Sequence, residues 1–321
     1  MELKAKKDKK EINILFLGGA KRVSLARKVI AAGEQLGVTV GIYSYELSPE
    51  APIALVGKVV TGLRWNDGRI MEHLYDTVVT NHIDIMLPFV DPAIEIAARF
   101  TQLYPAVWAP VVEPGLADAL FDKAASASLF ASKKLPIPAT YTGGRPTFPL
   151  IAKPRHGSAS KGIMVIKDVA DFRRVLRMGD YMMERYIESH KEYTVDAYVS
   201  QRGEILCVSP RLRIEVLGGE VTRSITVDYP ELYALARRCI AALELKGPVT
   251  LQFIRDEETG ELMLMEVNPR LGGGVVCSIH AGADMSRLLL EEYLGLGPKP
   301  VGHVKPGVLI CRFFDETVFN A

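Results

Sequence analysis

Ile12–Leu17 is a near-continuous apolar run that ends at Gly18-Gly19 and leads into a helical stretch from Val23 to Leu36. A strand this apolar is buried on both faces, the situation of strands in parallel sheets whose crossovers are helices. Val38–Tyr43 and Ile83–Pro88 are short runs of the same kind, so residues 11–113 read as α/β, a parallel sheet with helices on its faces. Gly18-Gly19 stands where a nucleotide crevice would be. However, Lys21, Arg22 and Val23 follow in place of the remaining glycines of G-x-G-x-x-G, and the pair reads as a tight strand-to-helix turn.

Beyond residue 114 the chain changes character. A long helix is expected over Leu116–Lys134, then a Pro- and Gly-rich connector over Leu135–Pro149. A strand (Leu150–Lys153), a Gly/Ser loop (His156–Gly162) and a strand (Ile163–Lys167) follow, and Asp168 caps a helix running to Met178. The remainder is mostly antiparallel in character: Tyr193–Val199, Glu204–Pro210, and the pair Val249–Arg255 with Glu261–Asn268. One helix interrupts it, from Pro230 to Leu245, with Gly247 past its end.

Composition removes several classes of function. The net charge of +1 over 321 residues gives no bulk attraction to nucleic acid or to an anionic membrane. No apolar run approaches the roughly 18 residues of a membrane span. The basic start (Lys4, Lys6, Lys7, Lys9, Lys10) lacks the apolar core of a signal peptide and is expected to be a solvated tail. Cys207, Cys239, Cys277 and Cys311 are far apart with no C-x-x-C, which fits a reducing cytoplasm and argues against zinc or a disulfide framework. The six histidines form no ligand-spaced pair, so a bound metal would be a hard cation on oxygen ligands.

The chemistry concentrates in three places. A three-residue turn at Glu258-Thr259-Gly260 would set Gln252 across from Glu266, on the face that also carries Asn268. Met263, Met265 and Val267 would then face the core. Such an oxygen patch suits Mg²⁺ held by one carboxylate plus nucleotide phosphates, and Arg270 could reach a phosphate as a planar fork. The plain alternative is a solvated polar face. Lys153 precedes the Gly/Ser loop, whose small residues let backbone N–H groups approach phosphate oxygens. Gly157–Gly162 has the spacing of a Walker A loop, but Ile163 and Met164 stand where that motif needs Lys and Ser/Thr, and a strand follows. Glu184, within Met182–Ile187, and Glu192, opening the next strand, are carboxylates that could meet an adenine edge and ribose hydroxyls. Each alone is more often a surface carboxylate.

Taken in order, Asp122-Lys123, Leu150–Pro154, the Gly/Ser loop, Met183–Ile187, Glu192–Asp196 and Met265–Arg270 resemble the motifs of ATP-grasp enzymes, nearest to the carbamoyl-phosphate-synthetase-like branch, over roughly residues 115–300. The resemblance implies a Rossmann-like pre-ATP-grasp α/β domain (1–114) followed by an α+β ATP-grasp fold of two lobes (115–183 and 184–321). It implies that Lys123 and Lys153 contact ATP phosphates and that Ser158 belongs to the loop closing over them. Glu184, Tyr186 and Ile187 would hold adenine, and Glu192 the ribose. Gln252, Glu266 and Asn268 would ligate one or two Mg²⁺ ions, for which Mn²⁺ could substitute. Arg270 would steady the transferring phosphoryl group, with Arg211 and Arg213 on a segment facing the acceptor. Gln252 departs from the carboxylate that many relatives carry there, which weakens that metal ligand. A chain of this length holds a single ATP-grasp unit. The implied activity is ligation of a small-molecule carboxylate to an amine through an acyl phosphate, in a cytoplasmic enzyme that could be a homodimer. An ATP-binding regulatory or scaffold protein with little turnover is the alternative.

Overall fold

The computed structural model describes residues 9–157 and 161–319. It opens with β1 (Glu11–Leu17), α1 (Val23–Gln35), β2 (Thr39–Glu46), β3 (Lys58–Thr61), α2 (Ile70–Thr80), β4 (Ile85–Pro88) and α3 (Asp91–Leu103). The strands form a parallel sheet in the order β3-β2-β1-β4. β1 is central, which is why it is apolar on both sides. Ile12, Ile14 and Phe16 enter one core with Leu25, Ala26 and Val29 of α1, while Leu15 and Leu17 enter another with Leu74 of α2 and Ala97 of α3. Gly18 turns the chain at φ +75°, and the Arg22 N–H closes the turn on the Gly19 carbonyl at 2.7 Å. Lys9 is not part of a solvated tail. Its ammonium pairs with Asp84, and the Lys10 carbonyl accepts from the Thr39 N–H at 2.8 Å, so pairing with β2 begins one residue before β1.

The helix expected over Leu116–Lys134 is two helices, α4 (Pro114–Phe121) and α5 (Lys123–Ser132). Asp122 leaves the helical region at φ −90°, ψ 113° and accepts hydrogen bonds from the Ala124 and Ala125 N–H groups. Its carboxylate also takes a bond from Arg155 Nε at 3.1 Å and one from Arg155 Nη2. Asp122 is thus a local N-cap inside an Ala- and Leu-rich run, and a partner 33 residues away adds to the same carboxylate.

Next come β5 (Leu150–Pro154), β6 (Met164–Ile166), α6 (Val169–Met178) and β7 (Tyr181–Arg185), a three-stranded antiparallel sheet in the order β6-β5-β7 with one helix. Asp168 caps α6 as expected, accepting from the Ala170 and Asp171 N–H groups. The last part holds β8 (His190–Val199), β9 (Ile205–Leu217), β10 (Glu220–Thr226), α7 (Pro230–Ala242), β11 (Gly247–Asp256), β12 (Leu262–Asn268), α8 (Val275–His280), α9 (Met285–Tyr293) and β13 (Leu309–Cys311). Its six strands form an antiparallel sheet, β12-β11-β8-β9-β10-β13. α7 covers one face through Leu232, Ala236 and Ile240 against Val195, Leu251 and Phe253. On the other face, Tyr198 and Leu206 join α9 and the first sheet in one core. Among the described residues no helix is long and apolar enough to cross a membrane.

Two details differ from the sequence-based expectation. Arg211–Arg223 carries no evident pattern by composition, yet it completes β9 and opens β10. Gly218 and Gly219, both at positive φ, form the two-residue turn between them. The β11–β12 turn is one residue longer than three, because Asp256 rather than Glu257 pairs with Glu261. A bulge after the Gln252–Glu266 pair absorbs the difference. Leu264 therefore enters the core with Val267, and Met263 and Met265 turn to the opposite side, beside Ile187 and Ile254.

The Arg155 bond, aided by the two capping N–H groups, holds the Asp122 carboxyl down at about 2 against the opposing effect of burial. A depressed carboxyl stabilises the fold above its unfolded value near 4 and loses that contribution as pH falls toward 2. Asp122→Ala is expected to lower unfolding free energy at pH 7 by about 1–2 kcal/mol. The gap to wild type should close between about pH 4 and 2 in urea titrations, and a gap independent of pH would remove the carboxylate from this role.

Candidate active site

A cleft of about 270 Å³ lies between the three-stranded sheet and the β11–β12 hairpin. From β5 comes Lys153, and from β7 comes Glu184, which stands opposite Ile151 in the ladder and so diagonal to Lys153 on one face. The two form an ion pair with side chains 13% and 8% exposed. Glu184, expected at an adenine edge, lines the cleft and pairs with Lys153. Lys123, at the first position of α5 and aimed by the Asp122 break, also borders the cleft and donates to the Gly157 carbonyl at 2.7 Å. Gly157 and Lys161 of the Gly/Ser loop line it as well. Ser158 lies outside the described residues.

At the other end the cleft is apolar. Ile187, Ile254, Met263 and Met265 pack together there, with Tyr186 beside them. His190 was not singled out from sequence. Its Nδ1 lies 2.7 Å from the Ile187 carbonyl, fixing the strand that leaves β7.

The hairpin supplies the polar wall. Gln252 does face Glu266, and its Nε2 donates to Glu266 Oε2 at 3.2 Å. Its Oε1 accepts from Arg213 Nη1, whose Nε lies 3.4 Å from Glu192 Oε2. Burial pushes the Arg213 guanidinium below its ordinary value, while Glu192 and Glu266 pull it back up. Asn268 is buried, and its Oδ1 accepts from Arg270 Nη2 at 3.4 Å. Arg270 Nε donates to Asp91 Oδ1 at 3.3 Å, so the first residue of α3 joins the site. Sequence reasoning missed Asp91, although V-D-P directly after an apolar strand is a helix-start signal placed at the strand's carboxyl end.

Arg211 separates from Arg213. It is 2% exposed and locked to Asp196 by bonds of 2.7 and 3.3 Å, with Ser278 also donating to Asp196 at 2.7 Å. It is part of the sheet's interior more than of the cleft.

Among the described residues, no cluster of three or more His, Cys, Asp and Glu side chains could hold a metal. Gln252, Glu266 and Asn268 offer one carboxylate and two carboxamides, all oxygen donors for a cation. That set fits a hard divalent ion that takes its other ligands from phosphate oxygens and water, and it fits poorly a metal held by protein alone.

Known proteins resemble this chain in sequence and in fold. Residues 177–312 match the family described as "ATP-grasp in the biosynthetic pathway with Ter operon". The chain is 23% identical over 166 residues, 46% of its length, to the N-terminal section of the carbamoyl phosphate synthase large chain of Methanopyrus kandleri. It is 21% identical over 202 residues, 54% of its length, to the arginine-specific large chain of Lactiplantibacillus plantarum. The matched region spans only 29% and 20% of those two proteins. In fold, the biotin carboxylase domain of Hydrogenobacter thermophilus 2-oxoglutarate carboxylase, solved with MgADP, ADP and bicarbonate, superposes with a TM-score of 0.74 at 17% identity. That match covers 94% of this chain and 74% of the other. An L-amino acid ligase from Bacillus licheniformis gives 0.71 at 17% identity, covering 93% and 78%.

Removing one partner of the Lys153–Glu184 pair leaves a buried charge unanswered. Lys153→Met alone is expected to cost roughly 3 kcal/mol of stability, most of it recovered when Glu184→Gln is added. Urea denaturation of both variants beside wild type tests this, and a single variant as stable as wild type would show that the pair contributes nothing to the fold.

Proposed function

Because this chain carries an ATP-grasp domain related to those of carbamoyl phosphate synthase large chains, we propose that it is an Mg²⁺-ATP-dependent ligase that activates a small carboxylate for attack by an amine. The observation that carries the reading is the convergence of Lys123, Lys153, Glu266, Asn268 and Arg270, from three separate stretches of sequence, on one cleft with an apolar end.

In this reading the adenine ring enters the apolar end, against Ile187 and Met265, with the backbone at Tyr186 and Ile187 meeting its polar edge. Glu192 takes the ribose hydroxyls. Lys123 and Lys153 place point charges on the phosphates, with Glu184 keeping the Lys153 ammonium in position. Glu266, with Asn268 and Gln252, would hold Mg²⁺, which when bound neutralises charge on the phosphate oxygens. Mn²⁺ has the same ligand preference and could replace it. Arg270 offers a fork to the phosphoryl group in transit, and its bond to Asp91 orients that fork. Arg213 faces the acceptor side.

An oxygen of the acceptor carboxylate attacks the γ-phosphorus, and the bond to the β-phosphate bridging oxygen breaks to release ADP. The amine nitrogen then attacks the acyl carbon, phosphate leaves with the bonding pair, and the nitrogen gives up a proton. No protein nucleophile is required, since positioning and charge neutralisation supply the catalysis. The polar lining of the cleft combines cations (Lys123, Lys153, Arg213, Arg270), carboxamides (Gln252, Asn268) and carboxylates (Glu192, Glu266), groups suited to holding phosphates and a metal.

MgATP near a hundredfold above its dissociation constant is expected to stabilise the protein by about 2.7 kcal/mol, and NADH is not. Thermal-shift titration measures this, and no response to MgATP would overturn the nucleotide site. Glu266→Ala removes the one carboxylate of the metal set. ADP release, screened over carboxylate and amine pairs, should fall by about a hundredfold or more with unfolding unchanged, and full turnover would place the metal elsewhere. Glu192→Gln should weaken ATP by roughly tenfold while leaving 2′,3′-dideoxy-ATP unaffected, and equal losses for both would remove the ribose contact.

A further inference from the structure

Beside the nucleotide cleft is a second cavity of about 100 Å³. Arg213, Gln252, Asn268 and Arg270 line both, so the two share a wall. The far side of the small cavity is Arg22, delivered from the first sheet by the Gly18-Gly19 turn. Arg22 is 13% exposed, and its guanidinium lies over the Phe89 ring at 5.7 Å. Its nearest carboxylate is Glu220, at 3.7 Å, too far for a hydrogen bond. Glu220 is already engaged by Arg312 Nη1 at 2.6 Å. Burial pushes the Arg22 guanidinium down to about 10, with Arg270 and Arg312 adding to the effect and Glu220 opposing it.

The other arginines of the wall each make a side-chain hydrogen bond: Arg211 to Asp196, Arg213 to Gln252, Arg270 to Asp91. Arg22 and Arg312 share a single carboxylate. A desolvated guanidinium with no hydrogen-bonded partner among the described residues is costly unless something supplies one. The cavity leaves room for that partner. Gly272–Gly274 passes directly beside these groups, and a Cβ at Gly273 would lie 2.9 Å from Arg22 Nη1 and 3.4 Å from Glu220 Oε2.

We propose that this cavity is the acceptor subsite and that Arg22 selects an acid bearing a second anionic group, carboxylate or phosphate, remote from the carboxylate that is activated. The proposal rests on the ligase reading above. The reacting carboxylate lies on the shared wall, near Arg270 and the phosphoryl group, and the second anion meets Arg22. The volume restricts the acceptor to a short carbon chain. Arg22 therefore acts on specificity and takes no part in nucleotide binding.

The test is thermal shift with MgADP present, using succinate and glutamate as dicarboxylates, 3-phosphoglycerate as a phosphorylated acid, and butyrate and alanine as acids with no second anionic group. Wild type should respond to at least one of the first three and not to the last two. Which one it answers distinguishes carboxylate from phosphate. Arg22→Gln should weaken that response by roughly thirtyfold or more while leaving the MgADP shift unchanged. Gly273→Ala, which drives a methyl group against the Arg22 guanidinium, should do the same and serves if Arg22→Gln does not fold. Equal responses to butyrate and succinate in wild type, no response to any of the three dianions, or a variant that responds as wild type does would each overturn the proposal. Loss of the MgADP shift in wild type would overturn the ligase reading beneath it.

Discussion

Asp196 accepts hydrogen bonds from Arg211 on β9 and Ser278 on α8, and lies 3.4 Å from the Thr250 hydroxyl on β11. One buried carboxylate thereby ties three elements of the six-stranded sheet and the helix beyond it. A buried ion pair helps a fold only when its lone pairs and protons are satisfied, and here both groups have several partners. The consequence reaches the site. Arg211 is held against Gly274, where a Cβ would come within 2.7 Å of its Nη1, and Thr250 donates to the Arg270 carbonyl at 3.0 Å. The turn that carries Arg270 out of β12 and past the glycines is thus set by the interior of the sheet.

Around that frame, charge is distributed as a series of answered pairs along one wall: Glu192 with Arg213, Arg213 with Gln252, Gln252 with Glu266, Arg270 with Asp91. Each side chain is held by a neighbour on a different element. The arrangement is therefore rigid before any ligand arrives, which is what a site working by positioning requires. Lys153 and Glu184 form a similar pair across the cleft, on a different sheet. The cleft lies between two bodies of secondary structure, and the apolar cluster of Ile187, Ile254, Met263 and Met265 bridges them at one end.

Much of this was legible in residues alone. The apolar run of β1 identified a buried strand of a parallel sheet, because burial on both faces suits such a sequence. Gln252 was placed opposite Glu266 by counting from the hairpin turn, and it is there. The count succeeded although the turn is one residue longer than assumed, since the bulge absorbs the error before it reaches Gln252. Met263 shows the limit of the method: on the turn side of the bulge the alternation inverts, and Met263 is buried in a small separate cluster with Ile187 and Ile254 in place of the core that holds Leu264 and Val267.

What the sequence by itself determined is the local chemistry: strands buried on both faces, capped helices, and a set of oxygen-bearing and cationic side chains at spacings that alternation can translate into faces. What only the tertiary structure decided is which of those groups meet. Asp122 meets Arg155 from 33 residues away, Glu184 holds Lys153 because β5 and β7 are neighbours, and Arg211 is interior while Arg213 borders the cleft. Asp91 joins the site from the start of α3, and only the fold brings it to Arg270, 179 residues on. The physical reason is range. Propensity and periodicity act over a few residues, whereas a buried charge is stabilised by whichever opposite group the fold brings within about 4 Å, at any separation along the chain.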